Sequence, residues 1–366
     1  MTASAGDVNN LYIHFPFCRA KCAYCALLSR AGTTAAARAA HVRRVMRECP
    51  AKAFETIYLG GGTPALCNLA PLFALLSACR SPCAEFTVEL HPRDVTAETL
   101  ALLRRGGVNR VSLGVQSFDD VVLAAMGRGH TAQEAEDAFR RVRAVFPNAG
   151  LDLIAGWPGV TDAAWRATLR RALALEPVHV SCYALIREPK TRLDRAVREG
   201  RLALPDDDVA LDQVACAAEA FAAAGLERYE VSNYARPGYA CRHNVAVWRG
   251  EDYVGLGEGA HGRVGLTRTV GTAAGYETTT VTAETDAFER AVLALRTAEG
   301  LDLAACARRF PLLAPRLPAW RAQLEALVAP GILRRLGSDR FAPTARGFEV
   351  CDAVMAELAL YTAGRT

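Results

Sequence analysis

Nowhere in the 366 residues is there an apolar run near the roughly 20 residues that a membrane-crossing helix requires. No early segment joins a basic flank to a long apolar stretch, so neither a membrane span nor an export signal is expected. Net charge is scarce too: 43 Lys and Arg against 39 Asp and Glu leave +4, too little to call for a polyanionic partner. Aromatic residues, 7% of the chain, are not interleaved with basic ones, which argues against a stacking platform for nucleic acid. There is no internal repeat and no low-complexity tract beyond an enrichment in alanine. What is present, 51% hydrophobic and 22% charged residues, suits a soluble globular chain long enough for one large α/β domain and a smaller one.

Cysteine is not scarce. Twelve of them in a large chain without an export signal point to a reducing, cytoplasmic location and free thiols. Cys18, Cys22 and Cys25 follow directly on the strand-like run Leu11–Phe15 and can converge on one inorganic centre. Three thiolates leave a four-iron cluster one protein ligand short, so one iron stays open to something other than protein. Two other uses stand beside this one. A zinc site usually takes four ligands from paired units, and no second unit follows; a thioredoxin-type C-x-x-C pair belongs at a helix start in another topology. The remaining cysteines, Cys49, Cys67, Cys79, Cys83, Cys182, Cys216, Cys241, Cys306 and Cys351, read as small buried hydrophobes.

Short β-rich runs alternate with amphipathic stretches over the first half. Strands are expected at Leu11–Phe15, Thr56–Leu59, Glu85–Glu89, Arg110–Val115, Leu151–Ile154 and His179–Tyr183. Helical patterns lie between them at Thr33–Glu48, Leu69–Cys79, Thr96–Arg105, Thr131–Val145 and Ala163–Leu175. This order implies parallel βαβ units and an α/β fold, a full or partial (β/α) barrel. Polar or glycine-rich residues follow the strands: the cysteine loop, Gly60-Gly61-Gly62-Thr63-Pro64, Glu89, Gln116, Asp152 and Tyr183-Ala184. That is the end at which such a barrel carries its active site. After Pro189 a long helix is expected at about Asp206–Ala224 and a strand at Glu227–Val231. A loop-rich section at Asn233–Gly265 and a hairpin-like connector at Thr267–Thr285 follow. The tail reads as helices around a hairpin at Ile332–Pro343, a winged-helix-like order.

Glycines at 60–62 free the backbone for close approach to a ligand, or simply turn the chain into a helix. Glu89, Gln116, Arg128 and Asp152 offer carboxylate, amide and guanidinium groups for a ligand with ammonium, hydroxyl and carboxylate ends. The alternative is that Glu89 and Arg128 pair with each other or that these residues cap helices. His14 reads as a packed histidine. His243 and His261 can ligate iron or bind a propionate, or be hydrogen-bonded loop histidines.

These stretches together resemble the radical S-adenosylmethionine (SAM) superfamily, and within it the group of oxygen-independent coproporphyrinogen III oxidases and their relatives, the haem chaperones of the HemW type. The likeness rests on Tyr12–Cys18, Gly60–Pro64, Gly107–Phe118, Asp152-Leu153-Ile154, Tyr229–Ala235, His243-Asn244 and Gly255–His261, and it covers nearly the whole chain. It implies that Cys18, Cys22 and Cys25 hold a [4Fe–4S] cluster whose open iron is chelated by SAM. Tyr12 and Tyr24 would pack near both. Gly61, Gly62 and Thr63 would contact the methionine end of SAM, with Glu89, Gln116, Arg128, Asp152 and the backbone of Ala184 completing the pocket. One electron from the cluster would cleave SAM to a 5′-deoxyadenosyl radical, chemistry that the cofactor carries and the protein positions.

The oxidases carry a further cysteine two residues after the third, where Leu27 stands here, and a longer N-terminal region; both absences favour the chaperones. The run Met126–His130 and the His243-Asn244…Trp248 pattern fit the chaperones too. Ala26-Leu27, His91, Val247 and Glu258 depart from the usual chaperone residues. The expected function is to bind haem and deliver it to acceptor haemoproteins, with possible transient contact with membrane proteins. The other enzyme-class reading is radical decarboxylation of coproporphyrinogen III in porphyrin biosynthesis. A radical SAM partial barrel with its extension is expected over residues 8–265 and a helical, winged-helix-like domain over 286–366. The basic residues Arg334, Arg335, Arg340 and Arg346 would make a nucleic-acid module of that tail, but the modest charge speaks against such a partner.

Overall fold

Six strands carry the architecture, and each alternates apolar with polar residues. In the computed structural model, which describes residues 8–360 except the side chains at positions 83, 207 and 360, these are β1 (Asn10–Phe15), β2 (Phe54–Gly61), β3 (Arg80–Leu90), β4 (Arg110–Gln116), β5 (Asn148–Ala155) and β6 (His179–Ala184). They lie parallel and in sequence order. Between them run α1 (Ala35–Glu48), α2 (Ala70–Ala78), α3 (Ala97–Arg105), α4 (Asp120–Met126), α5 (Ala132–Val145) and α6 (Asp162–Ala174). The helix starts are written in the sequence. Thr34, Thr96, Asp119, Thr131 and Thr161 each accept a backbone N–H as N-cap, and Thr131 forms a capping box with Glu134.

One parity of each strand packs against these helices. Leu11, Ile13, Ile57, Leu59, Phe86, Val88, Val111, Leu113, Leu151 and Val180 are fully buried in one cluster with Val45, Leu72, Leu103, Phe139 and Trp165 of the helices. The other parity is polar: Asn10 and His14, Thr56, Glu85 and Thr87, Arg110 and Ser112, His179 and Ser181, all buried. A closed (β/α)₈ barrel fills its interior with layers of branched apolar side chains. Here the hollow of the sheet is mostly polar, with Phe54 and Ile154 the apolar exceptions on β2 and β5.

Past α7 (Arg192–Arg198) and α8 (Asp207–Ala223), the sheet grows at both edges. β7 (Glu227–Arg228) pairs antiparallel with β8 (Asn233–Ala235), and β8 antiparallel with β6. The section expected to be loop-rich instead contains α9 (Arg242–Trp248), β9 (Tyr253–Leu256) and β10 (His261–Val264). β9 pairs parallel with β1, Asn10 opposite Tyr253. The expected connector forms β11 (Thr267–Gly271) and β12 (Tyr276–Thr280), which continue the same sheet. The twelve strands run in one order from β12 to β7 without closing on themselves, so the barrel is partial.

The tail forms a second cluster around Leu301, Leu313, Trp320, Leu324 and Phe341. Its order is α10 (Ala283–Val292), β13 (Leu301–Asp302), α11 (Leu303–Arg309), α12 (Leu317–Ala326), the hairpin β14 (Leu333–Arg335) and β15 (Arg340–Pro343), α13 (Ala345–Glu349) and α14 (Cys351–Leu360). The strands make a small sheet in the order β13-β15-β14. Arg335 pairs with Glu325 and Arg340 with Asp302, so two of the basic residues noted in the tail are neutralised. Among the described residues no helix is long and apolar enough to cross a membrane. Of the cysteines outside the triad, Cys67, Cys79, Cys182, Cys241, Cys306 and Cys351 are buried and Cys49 and Cys216 half-buried, all free; the side chain of Cys83 lies outside the described residues.

Candidate cofactor site

The loop after β1 is closed at its neck by two backbone bonds, Arg30 N–H to Pro16 O (2.9 Å) and Cys18 N–H to Arg30 O (3.0 Å). Its far side is tied to the end of α4 by Ala23 N–H to Met126 O, 2.8 Å. Cys18, Cys22 and Cys25, all half-buried, line one cavity of about 640 Å³ at the carboxyl ends of the strands. Burial pushes the thiols of Cys18 and Cys25 up. Among the described residues no three His, Cys, Asp or Glu side chains surround a position for a single ion. The three thiols open onto one space, the arrangement that a cluster needs if each thiolate is to hold a different iron.

Beside the thiols, the end of β2 approaches the neck of the cysteine loop at backbone distance. Gly62 N–H donates to Phe15 O (2.8 Å) and Thr63 N–H to Phe17 O (2.7 Å). A Cβ on Gly62 would stand 2.4 Å from Phe17 O, and one on Gly61, whose φ is +100°, would stand 2.4 Å from the His14 ring. Only glycine fits at either place.

Glu89, at the end of β3, accepts from Tyr58 Oη (2.7 Å) and from Gly61 N–H (3.0 Å). Burial, reinforced by the charge of Asp152, pushes its carboxyl up to about 7, against the pull of the Tyr58 hydrogen bond. Asp152 accepts from Ser112 Oγ at 2.9 Å, and burial raises it too. β4 ends in a register shift between Gly114 and Gln116, and Gln116 sits at φ +77°, an uncommon conformation for a side-chain-bearing residue. Arg128 donates Nη1 to Cys22 Sγ (3.3 Å) and Nη2 to Gly114 O, while its buried Nε has no partner.

Glu89 and Arg128 therefore do not pair with each other. Tyr58 and Gly61 hold the carboxylate, and Cys22 and Gly114 hold the guanidinium. Two carboxyl groups and one guanidinium thus share the cavity without a direct ion pair between Glu89 and Arg128, a set complementary to the ammonium and carboxylate of an amino acid. Tyr24, Gly61, Gly62, Thr63, Glu89, Gln116, Arg128, Asp152 and Ala184 all line this one cavity. Tyr12 does not: its hydroxyl bonds His14 Nδ1 (2.9 Å) and its ring faces Tyr58 and His243, with centroids 6.0 and 6.3 Å away. His14 is packed as expected, its Nε2 bonded to Leu28 O at 2.9 Å. His243 is buried against Thr56 Oγ1 (2.9 Å) and held neutral, pushed down to about 4 by burial and Arg110; His261 is exposed on β10. Neither histidine lines the cavity. Arg93, Tyr183 and Ile186 do line it and were not singled out as site residues, although each stands within a few residues of a strand end.

Residues 12–172 match the radical SAM superfamily. Over 96% of its length the chain is 34% identical to the haem chaperone HemW of Mycobacterium tuberculosis (strain ATCC 25618 / H37Rv), spanning 95% of that relative. The chain belongs to the HemW group of radical SAM proteins. A second HemW relative, from Escherichia coli (strain K12), is 37% identical over 70% of each chain. The solved coproporphyrinogen III oxidase HemN of E. coli, described as a radical SAM enzyme, superposes with a TM-score of 0.81 at 21% identity, over 96% of this chain and 90% of that one. That likeness fixes the fold of a HemW-group chain as the oxidase's fold. Membership of the superfamily implies a [4Fe–4S] cluster and SAM. The site fits both: three thiols on one cavity for the cluster, and a glycine cradle with Glu89, Asp152 and Arg128 for the amino-acid end of SAM.

Proposed function

We propose that this chain is a haem chaperone, which binds a [4Fe–4S] cluster, SAM and haem and passes haem to acceptor haemoproteins in the reducing cytoplasm. The observation carrying this is the sharing of one cavity by three thiols and the Glu89, Asp152 and Arg128 set, in a chain that aligns nearly end to end with a HemW relative. Cys18, Cys22 and Cys25 would hold the cluster, leaving one of its irons open to SAM. When bound, the pair supplies one-electron reductive chemistry. The protein's part is to orient: Glu89 and Asp152 would bind the ammonium, Arg128 the carboxylate and Gly61 to Thr63 the methionine backbone, with Tyr24 and the Ala184 backbone completing the pocket. Tyr12 acts from behind the wall, by fixing the His14 ring against Gly61.

The test is to reconstitute the full chain anaerobically, titrate it with haem, and then present an apo-haemoprotein. Haem binding followed by transfer is the expected result. Incubation with coproporphyrinogen III, SAM and reductant is the counter-arm. Turnover to protoporphyrinogen would replace this reading with that of an oxidase.

A further inference from the structure

Most cations around the mouth of the cavity already have partners. Arg19 pairs with Asp94, Arg30 with Glu258, and Arg187 with Asp194 at 2.9 Å. Arg93 lines the cavity from the turn after β3, is exposed, and has no ion pair among the described residues. It lies against Gly129, where a Cβ would stand 2.9 Å from its Nη1. His91 lines the cavity beside it. Its Nδ1 accepts the Arg93 N–H at 3.2 Å, and its ring meets His130 edge-on with centroids 5.0 Å apart. Burial and the nearby Arg128 push His91 down to about 2, so the ring is neutral. With Nδ1 accepting, the remaining proton is on Nε2 and is a donor. Arg93 and His91 therefore form a donor-only patch.

Other parts of the lining, beside Arg19 and Glu188, present large apolar side chains. In the sheet β6 is separated from β3 by β4 and β5, and it carries Tyr183 (43% exposed) and, just past its end, Ile186 (67%). Leu27 of the cysteine loop, 53% exposed, lines the same cavity. Large apolar side chains left exposed around a concave site mark a surface for a ligand. A donor patch and exposed apolar side chains lining one cavity are complementary to a flat apolar body with carboxylates at one edge.

We propose that Arg93, assisted by His91, binds a propionate carboxylate of haem at the mouth of the cluster cavity, with the macrocycle resting on Leu27, Tyr183 and Ile186. This rests on the haem-binding function proposed above. It leaves Arg128, buried and bonded to Cys22, for the carboxylate of SAM. Arg93 thus acts in recognising the haem edge and not in holding the cofactors.

The experiment titrates the anaerobically reconstituted full chain with hemin and with hemin dimethyl ester, whose propionates carry no charge, comparing wild type, Arg93→Gln and Arg93→Lys. Loss of a charge-assisted bond should weaken hemin binding by Arg93→Gln about tenfold or more. Binding of the ester should be unchanged, Arg93→Lys should recover most of the hemin affinity, and cluster iron and SAM affinity should stay at wild-type levels. Wild-type hemin affinity in Arg93→Gln overturns the assignment. So does an equal loss for hemin and ester, or a loss of SAM binding. Absence of hemin binding by the wild type rejects the chaperone function and this site with it, whereas tight wild-type binding that ignores Arg93 rejects the site alone.

Discussion

Arg128 donates from Nη1 to the thiol of Cys22 across 3.3 Å, joining the turn after β4 to the cysteine loop after β1. One guanidinium thus touches a thiol proposed to hold the cluster and keeps an unpartnered, buried Nε. The substitution Arg128→Gln removes the only cation bonded to this loop's thiols among the described residues. SAM affinity should fall about tenfold or more, the cost of a lost charge-assisted bond. Isothermal titration of the reconstituted variant checks this.

Replacing any one of Cys18, Cys22 or Cys25 by alanine should abolish the brown [4Fe–4S] chromophore, because two thiolates cannot hold a cubane that already lacks a fourth. Iron and sulfide analysis after anaerobic reconstitution is the measurement. Full cluster content in all three variants would remove the cofactor assignment.

At Gly62 the neighbour of an added Cβ is a backbone oxygen, Phe17 O, which cannot swing away as a side chain can. Gly62→Ala should therefore destabilise the fold by about 1–3 kcal/mol, the usual cost of overpacking. It should also lower cluster occupancy by pushing the loop neck off β2. Denaturant unfolding of the apo chain, beside iron content, separates the two effects.

Glu89 predicts a pH signature. Its carboxyl is raised from 4.5 to about 7 in the fold, so the folded chain binds that proton more tightly than the unfolded one. The stabilisation is fully present below pH 4.5 and is lost as pH rises through about 7. Glu89→Gln, which stays neutral, should gain stability relative to wild type across that window. A stability difference that is flat from pH 4.5 to pH 7 would contradict the buried geometry.

The histidines of α9 and β10 should part company. His243→Ala empties a buried position bonded to Thr56 and should cost about 2–4 kcal/mol, as large-to-small core changes do. His261→Ala, at an exposed position, should stay within about 0.5 kcal/mol. Thermal unfolding of the two variants tests this. It also shows whether any haem defect of His243→Ala reflects a damaged fold.

The parallel half of the fold is legible in the chain because its signals are local. Threonine caps mark where helices start, and short apolar alternations mark β1 to β6. The helices α4 and α7 escape notice because seven residues give too little periodicity to count. β9 escapes because its reason for being a strand is β1, more than two hundred residues away. The same division holds in the cavity. Residues at strand ends can be named from the sequence, since all strands of a parallel sheet end on one side. Arg93 and Ile186 gain meaning only once the turn after β3 and the end of β6 open onto one space. The freedom of Arg128 from Glu89 is a matter of which hydrogen bonds form, and that is invisible along the chain.

The alternation in β1 to β6 has a further consequence. Odd and even positions answer to different demands: one set must fit the helices to within a methyl group, the other must only balance charge and hydrogen bonds around a hollow. Each strand is thus two interleaved texts. The chemistry of the hollow can be rewritten at Thr87, Ser112 or Ser181 without altering a letter of the text that folds the protein.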